Sequence, residues 1–232
     1  MKKLKKILTI VLTVILIMCT GFAFYAADYY KAQNTYDYIT SKGSIITAGD
    51  EISDTGIIFY PGAKVEYMAY APLMKACADE GYFTACIKMP FNFAFFNMDG
   101  ADRVIAKHPE IKRWYIAGHS LGGAMAGSYI GDNAEKYEGL ILLAAFTTAD
   151  ISDSGLKVLS VYGSEDEVLA EDSYIKYRKC LPHDYKEVVI EGGCHGYFGD
   201  YGMQKGDGNP SVTREEQIEI TADEIRKFID GE

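Results

Sequence analysis

Short apolar runs alternate with longer segments of helical spacing along most of the chain, and this alternation constrains the fold more than any other feature. The runs are rich in apolar and β-branched residues and lie at 56–60, 82–88, 113–117, 140–145, 157–162 and 186–190, with a weaker candidate edge strand at 44–47. Strands that are apolar throughout are buried on both faces, which is typical of a parallel sheet covered by helices. The pattern therefore predicts an α/β fold with a mostly parallel, twisted sheet.

Helical spacing fills the intervals between these runs. It predicts helices at about 65–80, 98–107, 121–130, 169–180 and 213–229. In a sheet of this kind, ligands bind beyond the carboxyl ends of the strands. Residues that directly follow a strand are therefore candidates for a functional site. Residues that precede a strand are poor candidates, because they lie at the opposite edge.

The N-terminus combines a basic start with a long uncharged run. Lysines occupy four of the first six positions, and residues 7–27 then carry no charge. A helix of that length spans roughly the 30 Å hydrocarbon core of a bilayer. The end of the run, FAFYAA at 22–27, contains bulky aromatic residues and no clean small-residue cleavage motif. It therefore favours an uncleaved anchor over a cleaved signal peptide.

The lysines predict an N-terminus in the cytoplasm and a folded domain outside it, on a single-pass protein of the cell membrane. The expected organisation is a cytoplasmic basic segment at 1–6, a transmembrane anchor at 7–27, a stalk at 28–43 and the folded domain at 44–232. The alternative is a domain secreted after the first segment is cleaved as a signal peptide.

Charge and cysteine content limit the partners of the folded part. Of 23 basic side chains, four precede residue 7, whereas all 33 acidic ones follow residue 27. An acidic domain is repelled by nucleic acid and by anionic lipid headgroups, so neither is an expected partner. The five cysteines show no spacing typical of a metal site. A disulfide between Cys180 and Cys194 is an alternative to free thiols in an oxidising compartment. No metal or organic cofactor is predicted.

One serine stands on a sharp corner between a strand and a helix. The stretch GHSLG, Gly118 to Gly122, fits the pattern G-x-S-x-G, and the strand before it and helix after it are the context this motif requires. Glycines flank the corner because a tight turn leaves no room for a Cβ. Ser120 is therefore a candidate nucleophile. The alternative is a serine that only caps the following helix.

A serine hydroxyl needs a general base. Of the four histidines, only His195 directly follows a strand, in the stretch EVVIEGGCHG. His119 lies inside the serine turn itself, and His108 and His183 lead into the amino ends of strands. His195 is therefore the candidate base, and the alternative is a loop histidine on a flexible glycine-rich turn.

The base in turn needs a carboxylate that orients it and stabilises its cationic form. Three acidic residues follow the strand KVLSVY, again at a carboxyl end. Asp166 is the candidate acid. Glu165 and Glu167 are the local alternatives, and Asp150 and Asp153, one strand earlier, are the more distant ones.

The three candidates occur in the order Ser120, Asp166, His195, each at the end of a separate strand, which is the chain order of the α/β-hydrolase fold. An oxyanion also needs backbone donors. Leu121, at the helix N-terminus, and Ala63, in the turn after the first main strand, are the candidates. The alternative for Ala63 is a plain Pro-Gly turn.

With these residues in place, the chain from residue 44 onward resembles the α/β-hydrolase superfamily. The stretches FYPGAKV, AGHSLGGAMA, VYGSEDEV and IEGGCHGYFGDYG look like those of its capless, dienelactone-hydrolase-related and carboxylesterase-like branch. The resemblance implies Ser120 as nucleophile, Asp166 as acid and His195 as base. Dienelactone hydrolases proper use a cysteine nucleophile, so the serine argues against dienelactone as the substrate.

Aromatic residues beside the candidate site predict an apolar wall. The segment PFNFAFFN at 90–97 and the loop after His195 contribute Phe91, Phe93 and Tyr197 as candidate substrate-binding residues. Ordinary packing over the sheet edge is the alternative. The segment 146–156 is too short for a lid domain, so an open site is expected.

Together these features predict a membrane-attached serine hydrolase of the carboxylic ester type. Its substrate would be a small-molecule or lipid-like acyl ester, cleaved through an acyl-enzyme intermediate. Two alternatives stay open. One is an acyltransferase that uses the same three residues, and the other is a non-catalytic binding protein of the same fold.

Overall fold

The computed structural model describes residues 2–232, which contain one eight-stranded sheet. The strands lie in the order β1-β2-β4-β3-β5-β6-β7-β8, with β3 to β8 parallel and the first two antiparallel at one side. Their bounds are β1 Thr40–Lys42, β2 Ile45–Ala48, β3 Thr55–Tyr60, β4 Phe83–Ile87, β5 Arg113–His119, β6 Gly139–Leu143, β7 Lys157–Gly163 and β8 Lys186–Ile190.

Helices cover both faces of the sheet. Within residues 2–232 the α-helices are α1 Lys2–Ala27, α2 Ala71–Asp79, α3 Gly100–Ile105, α4 Leu121–Gly131, α5 Glu171–Tyr177 and α6 Arg214–Asp230. Helices α2 and α6 pack on one face through side chains such as Met74 and Ile225, and α3 and α4 pack on the other through Val104 and Ile130. The predicted mostly parallel sheet with helices on both faces is confirmed.

The carboxyl ends of β3 and β5 to β8 all reach the same edge of the sheet. Strands β3 and β5 are paired up to Tyr60 and Gly118, and β7 and β8 are paired up to Gly163 and Ile190. The segments that follow these strands carry the predicted site residues. Residues 144–156 join β6 to β7 without a helix, so no lid domain enters at that point.

Helix bounds differ most from the predicted ones where a proline or a 3-10 turn intervenes. The helix predicted at 65–80 is a 3-10 turn, Tyr67–Tyr70, followed by α2. Pro72 lies in the first turn of α2, because a residue without an N–H is tolerated only there. The last helix agrees closely, since Thr213 and Glu216 form a capping box at its start.

The N-terminal helix and the segment after it are not separate from the domain. Helix α1 has the length and apolar composition of a membrane span, which a signal sequence shares. The segment predicted as a stalk at 28–43 folds against the domain, and strand β1 extends the sheet to residue 40. The Tyr30 amide donates to the Lys64 carbonyl at 2.7 Å.

Candidate active site

Ser120 lies in the turn between β5 and α4, in a backbone conformation that few residues adopt. Its φ is 52° and its ψ is −124°. A non-glycine residue with positive φ is strained and persists only where the surroundings hold it. The Ser120 amide donates to the Leu143 carbonyl at 2.9 Å, which ties the turn to the end of β6.

The glycines on each side of Ser120 let backbone approach backbone. A Cβ at Gly118 would lie 2.4 Å from the Gly123 nitrogen, and one at Gly122 would lie 2.1 Å from the Tyr60 carbonyl oxygen. Neither position can therefore hold a larger residue without movement. As a result, the first turn of α4 packs directly against the end of β3.

Asp166 and His195 form a buried hydrogen-bonded pair at the same edge. The His195 Nδ1 lies 2.9 Å from the Asp166 Oδ2, and both side chains are 1% exposed. The other carboxylate oxygen of Asp166 accepts from the Val168 and Leu169 amides at 2.9 and 2.8 Å. These bonds fix the carboxylate so that one oxygen faces the imidazole.

Two polar side chains hold the loop that carries His195, and no sequence motif singles them out for this role. The Asp207 carboxylate accepts from the amides of His195 and Gly196 at 3.1 and 2.8 Å. The side-chain amide of Gln217, inside α6, both accepts from and donates to the backbone of Cys194, at 2.9 and 2.8 Å. These bonds fix the backbone of the loop on both sides of His195.

Ser120 and His195 line one cavity of about 270 Å³. Within residues 2–232 the His195 Nε2 is buried and has no hydrogen-bond partner. The nitrogen that could accept a proton from Ser120 is therefore not engaged elsewhere. The rest of the lining is apolar, and consists of Leu121, Ala124, Ala144, Ala145, Phe146, Val168, Leu169 and Ala170.

His119 occupies the centre of a buried hydrogen-bonded chain. The Gly62 amide donates to the Tyr70 hydroxyl at 2.9 Å, and that hydroxyl lies 2.7 Å from the His119 Nδ1. The His119 Nε2 lies 3.0 Å from the His195 carbonyl oxygen, which can only accept, so Nε2 carries the hydrogen. Burial, with the neighbouring His195 as a smaller cause, lowers the His119 pKa well below its usual value and keeps the ring neutral.

The amides predicted to stabilise an oxyanion lie on adjacent elements. Leu121 is the first residue of α4, and Ala63 follows the end of β3, against which α4 packs. Among residues 2–232, neither amide donates a hydrogen bond to another group. The Gly62 amide, in contrast, is used by the Tyr70 hydroxyl. Ala63 and Leu121 therefore remain available as donors.

The residues of the predicted aromatic wall do not line the cavity beside Ser120. Phe91, Phe93 and Tyr197 are not part of the lining of the Ser120 cavity. The Phe91 ring centroid lies 5.5 Å from that of Phe22 in α1, and the Phe93 ring stacks on Tyr25 at 6.1 Å. The structure thus brings the two phenylalanines to α1 and does not bring them to Ser120.

The other titratable candidates lie away from Ser120. His108 is 3.5 Å from the Glu110 carboxylate, and His183 lines a cavity at the amino edge of the sheet. In residues 2–232 no group of three or more histidine, cysteine, aspartate or glutamate side chains is placed to hold a metal ion. The five cysteine thiols are free, including those of Cys180 and Cys194.

Comparison with known families agrees with this architecture. A family model described as the alpha/beta hydrolase family matches residues 56–219, which is more than half of the chain. Comparison with curated proteins gives no match.

Solved structures share the fold at low sequence identity. A protein described as a predicted CIB-like hydrolase from Thermoplasma acidophilum is 18% identical with a TM-score of 0.59, over 83% of this chain and 98% of that one. Est1E from Butyrivibrio proteoclasticus is 16% identical with a TM-score of 0.60, over 83% and 98%. A monoacylglycerol lipase from Paleococcus ferrophilus is 12% identical with a TM-score of 0.61, over 79% and 98%. At these identities the likeness is one of fold.

Proposed function

The chain belongs to the alpha/beta hydrolase family, and we propose that it is a serine hydrolase that cleaves an ester-type bond of a small or lipid-like acyl substrate. One observation carries the proposal. The Asp166–His195 pair leaves the His195 Nε2 buried and unpartnered within residues 2–232, beside the same cavity that Ser120 lines. A serine, a base and an orienting carboxylate are the groups that acyl transfer through a covalent intermediate requires.

In the proposed reaction, the His195 Nε2 takes the Ser120 hydroxyl proton while the Ser120 Oγ attacks the ester carbonyl carbon. The carbonyl oxygen becomes an oxyanion and accepts hydrogen bonds from the Leu121 and Ala63 amides. Asp166 stabilises the imidazolium. The imidazolium then protonates the leaving alkoxide oxygen, which departs as an alcohol. Water repeats the sequence on the acyl-enzyme and releases the carboxylic acid.

The cavity supports a short apolar acyl group. Its volume of about 270 Å³ lies at or below the small end of ligand pockets, and alanines form much of its lining. An ester is the proposed substrate because, apart from Ser120 and His195, the lining is apolar and offers no charged group that would bind a phosphate. The lipase and the other hydrolases of similar fold support hydrolase activity in general.

We also propose that α1 spans the cell membrane and leaves the hydrolase domain outside the cytoplasm. Lysines at four of the first six positions favour a cytoplasmic N-terminus. The proposed organisation is a basic segment at 1–6, a span at 7–27 and an extracytoplasmic remainder. Cleavage of the helix as a signal sequence would give a secreted domain instead.

A fluorophosphonate probe tests the nucleophile, because it forms a covalent bond with an activated serine. We expect the full chain to be labelled and Ser120→Ala to be unlabelled, with hydrolysis of p-nitrophenyl butyrate reduced by about 10⁴-fold or more. Ser128→Ala on the same helix is the matched control and should behave as the unmodified chain. Labelling that survives Ser120→Ala would contradict the proposal.

A further inference from the structure

Three phenylalanine rings stand exposed beside one another after β4. Phe91, Phe95 and Phe96 are 56%, 45% and 47% exposed, and we call these three side chains the aromatic patch. The Phe95 and Phe96 ring centroids lie 4.3 Å apart, and those of Phe91 and Phe96 lie 5.6 Å apart. A contiguous group of exposed aromatic rings is unusual on a surface that faces only water, and such groups mark interaction sites.

The aromatic patch lies against the N-terminal helix. The Phe22 ring is 5.5 Å from Phe91 and 5.9 Å from Phe96, centroid to centroid. Phe22 belongs to the uncharged run 7–27 and precedes its end by five residues, or about 7.5 Å along the helix. If the run crosses a bilayer, the patch lies at the depth of the boundary between headgroups and acyl chains, roughly 5–10 Å below the surface.

The chain after α1 holds the domain in this position. Ala26 is buried, the Tyr30 amide donates to the Lys64 carbonyl at 2.7 Å, and the Gln33 amide donates to the Asp200 carbonyl at 2.9 Å. A free tether would let the domain turn any face towards the membrane. This connection instead presents one fixed face, the one that carries the aromatic patch.

Groups around the patch match the chemistry of a membrane interface. The Lys64 ammonium lies 4.3 Å from the centre of the Tyr25 ring and 3.2 Å from the Asp28 carboxylate. Tyrosine and lysine side chains that place an apolar body in lipid and a polar tip in water are enriched at such interfaces. Because the domain is acidic overall, the attraction to lipid must come from the apolar rings and not from net charge.

The patch is also joined to the proposed oxyanion turn. The Lys64 amide donates to the Asn92 carbonyl at 2.8 Å, and Lys64 directly follows Ala63. We propose that the aromatic patch is a lipid-docking surface that inserts into the outer leaflet and holds this side of the Ser120 site at the membrane surface. The partner is the interfacial zone of a zwitterionic or neutral bilayer. In that position the Ser120 site would act on an ester carried by the same leaflet, a step that rests on the proposed function.

Tryptophan fluorescence in nanodiscs of brominated phosphatidylcholine measures the docking, since bromine quenches an indole that enters the lipid. The chain has one tryptophan, Trp114, which is buried and supplies a constant background. We expect Phe96→Trp in the full chain to be strongly quenched relative to nanodiscs without bromine. Ile52→Trp is the matched control, because Ile52 is 80% exposed at the amino edge of β3, and it should not be quenched. Quenching of Trp at position 96 no greater than at position 52 would overturn the proposal.

Rates of hydrolysis test whether the substrate is an ester carried by the membrane. We expect the double variant Phe95→Ser/Phe96→Ser to hydrolyse a water-soluble ester as the unmodified chain does, and to lose activity several-fold on an ester dissolved in phosphatidylcholine nanodiscs. If the double variant lost activity equally on the two esters, or lost none on either, the inference that the substrate is carried by the membrane would be overturned. The quenching does not depend on catalysis. Quenching at position 96 in a chain that hydrolyses neither ester would therefore refute the proposed function and leave the docking surface intact.

Discussion

The Ser120 turn and the aromatic segment 90–97 lie at the same edge of the sheet, each after a buried strand, but different contacts hold them. Both contain non-glycine residues with positive φ, 52° at Ser120 and 55° and 59° at Phe91 and Asn92. Around Ser120 the close contacts join backbone to backbone, from α4 to the end of β3. Around Phe91 they join aromatic side chains to a ring of α1.

This difference determines what each region can do. A turn packed by backbone atoms has no alternative arrangement at low cost, so it can hold a reactive oxygen in one place. An aromatic segment held by ring contacts keeps exposed apolar area that another surface can cover. We therefore expect substitutions at the turn and its partners to change the chemistry, and substitutions in the aromatic segment to change where the chemistry takes place.

Asp166→Asn should have the largest effect on kcat after Ser120→Ala, whereas a substitution in the aromatic segment should leave kcat for a water-soluble ester unchanged. The new amide oxygen can still accept from Val168 and Leu169, but its NH₂ group would face the His195 Nδ1 and force that nitrogen to accept. The proton would then reside on Nε2, which could no longer act as a base. We expect kcat to fall by about 10⁴-fold with the fold intact.

Phe95→Ser is the matched control from the aromatic segment and should leave hydrolysis of a water-soluble ester unchanged. Circular dichroism would verify the fold of both variants, and initial rates would give the comparison. A kcat within tenfold of the unmodified value for Asp166→Asn would assign the acid to another residue.

The same contrast explains which parts of the molecule the sequence could predict. The strand ends, the sheet type and the glycine-flanked turn depend on local patterns and on the rule that parallel strands end at one edge. The packing of the predicted stalk 28–43 against the domain, and of Phe91 and Phe93 against α1, is not predictable in this way, because it depends on contacts between distant parts of the chain. Asp207 and Gln217 hydrogen-bond to the backbone of the His195 loop from later segments of the chain, and no local sequence pattern predicts such hydrogen bonds.

Gly122→Ala should break the backbone contact that distinguishes the Ser120 turn. The added Cβ would lie 2.1 Å from the Tyr60 carbonyl oxygen, so α4 and the end of β3 must separate. That movement would carry the Leu121 and Ala63 amides apart. We expect kcat/KM to fall by about 10²–10³-fold, as after loss of an oxyanion donor, and the free energy of unfolding to fall by about 1–3 kcal/mol.

Gly131→Ala is the control for Gly122→Ala, since it makes the same substitution at the other end of α4. The nearest atom to its Cβ is the Ala149 Cβ at 3.2 Å, a side-chain contact that a small shift relieves. Steady-state kinetics and urea titrations on both variants would measure the difference. Similar activity of the two variants would show that the close approach at Gly122 does not position the donors.

His119→Gln should give the smallest of these effects, and it tests whether the buried His119 beside Ser120 stays neutral in the folded chain. His119 contacts Tyr70 and the His195 carbonyl, and its folded-state pKa lies well below the usual value of 6.5. Below about pH 6.5 this histidine therefore binds a proton in the unfolded chain but not in the folded chain. As a result, the free energy of unfolding falls as pH decreases. The expected loss is about 1.4 kcal/mol per pH unit, and it is absent above that pH. Urea titrations of the full chain in detergent at pH 7.5 and 5.5 would show a smaller acid loss for His119→Gln than for the exposed control His183→Gln. Equal acid losses in the two variants would mean that His119 takes up a proton in the folded state.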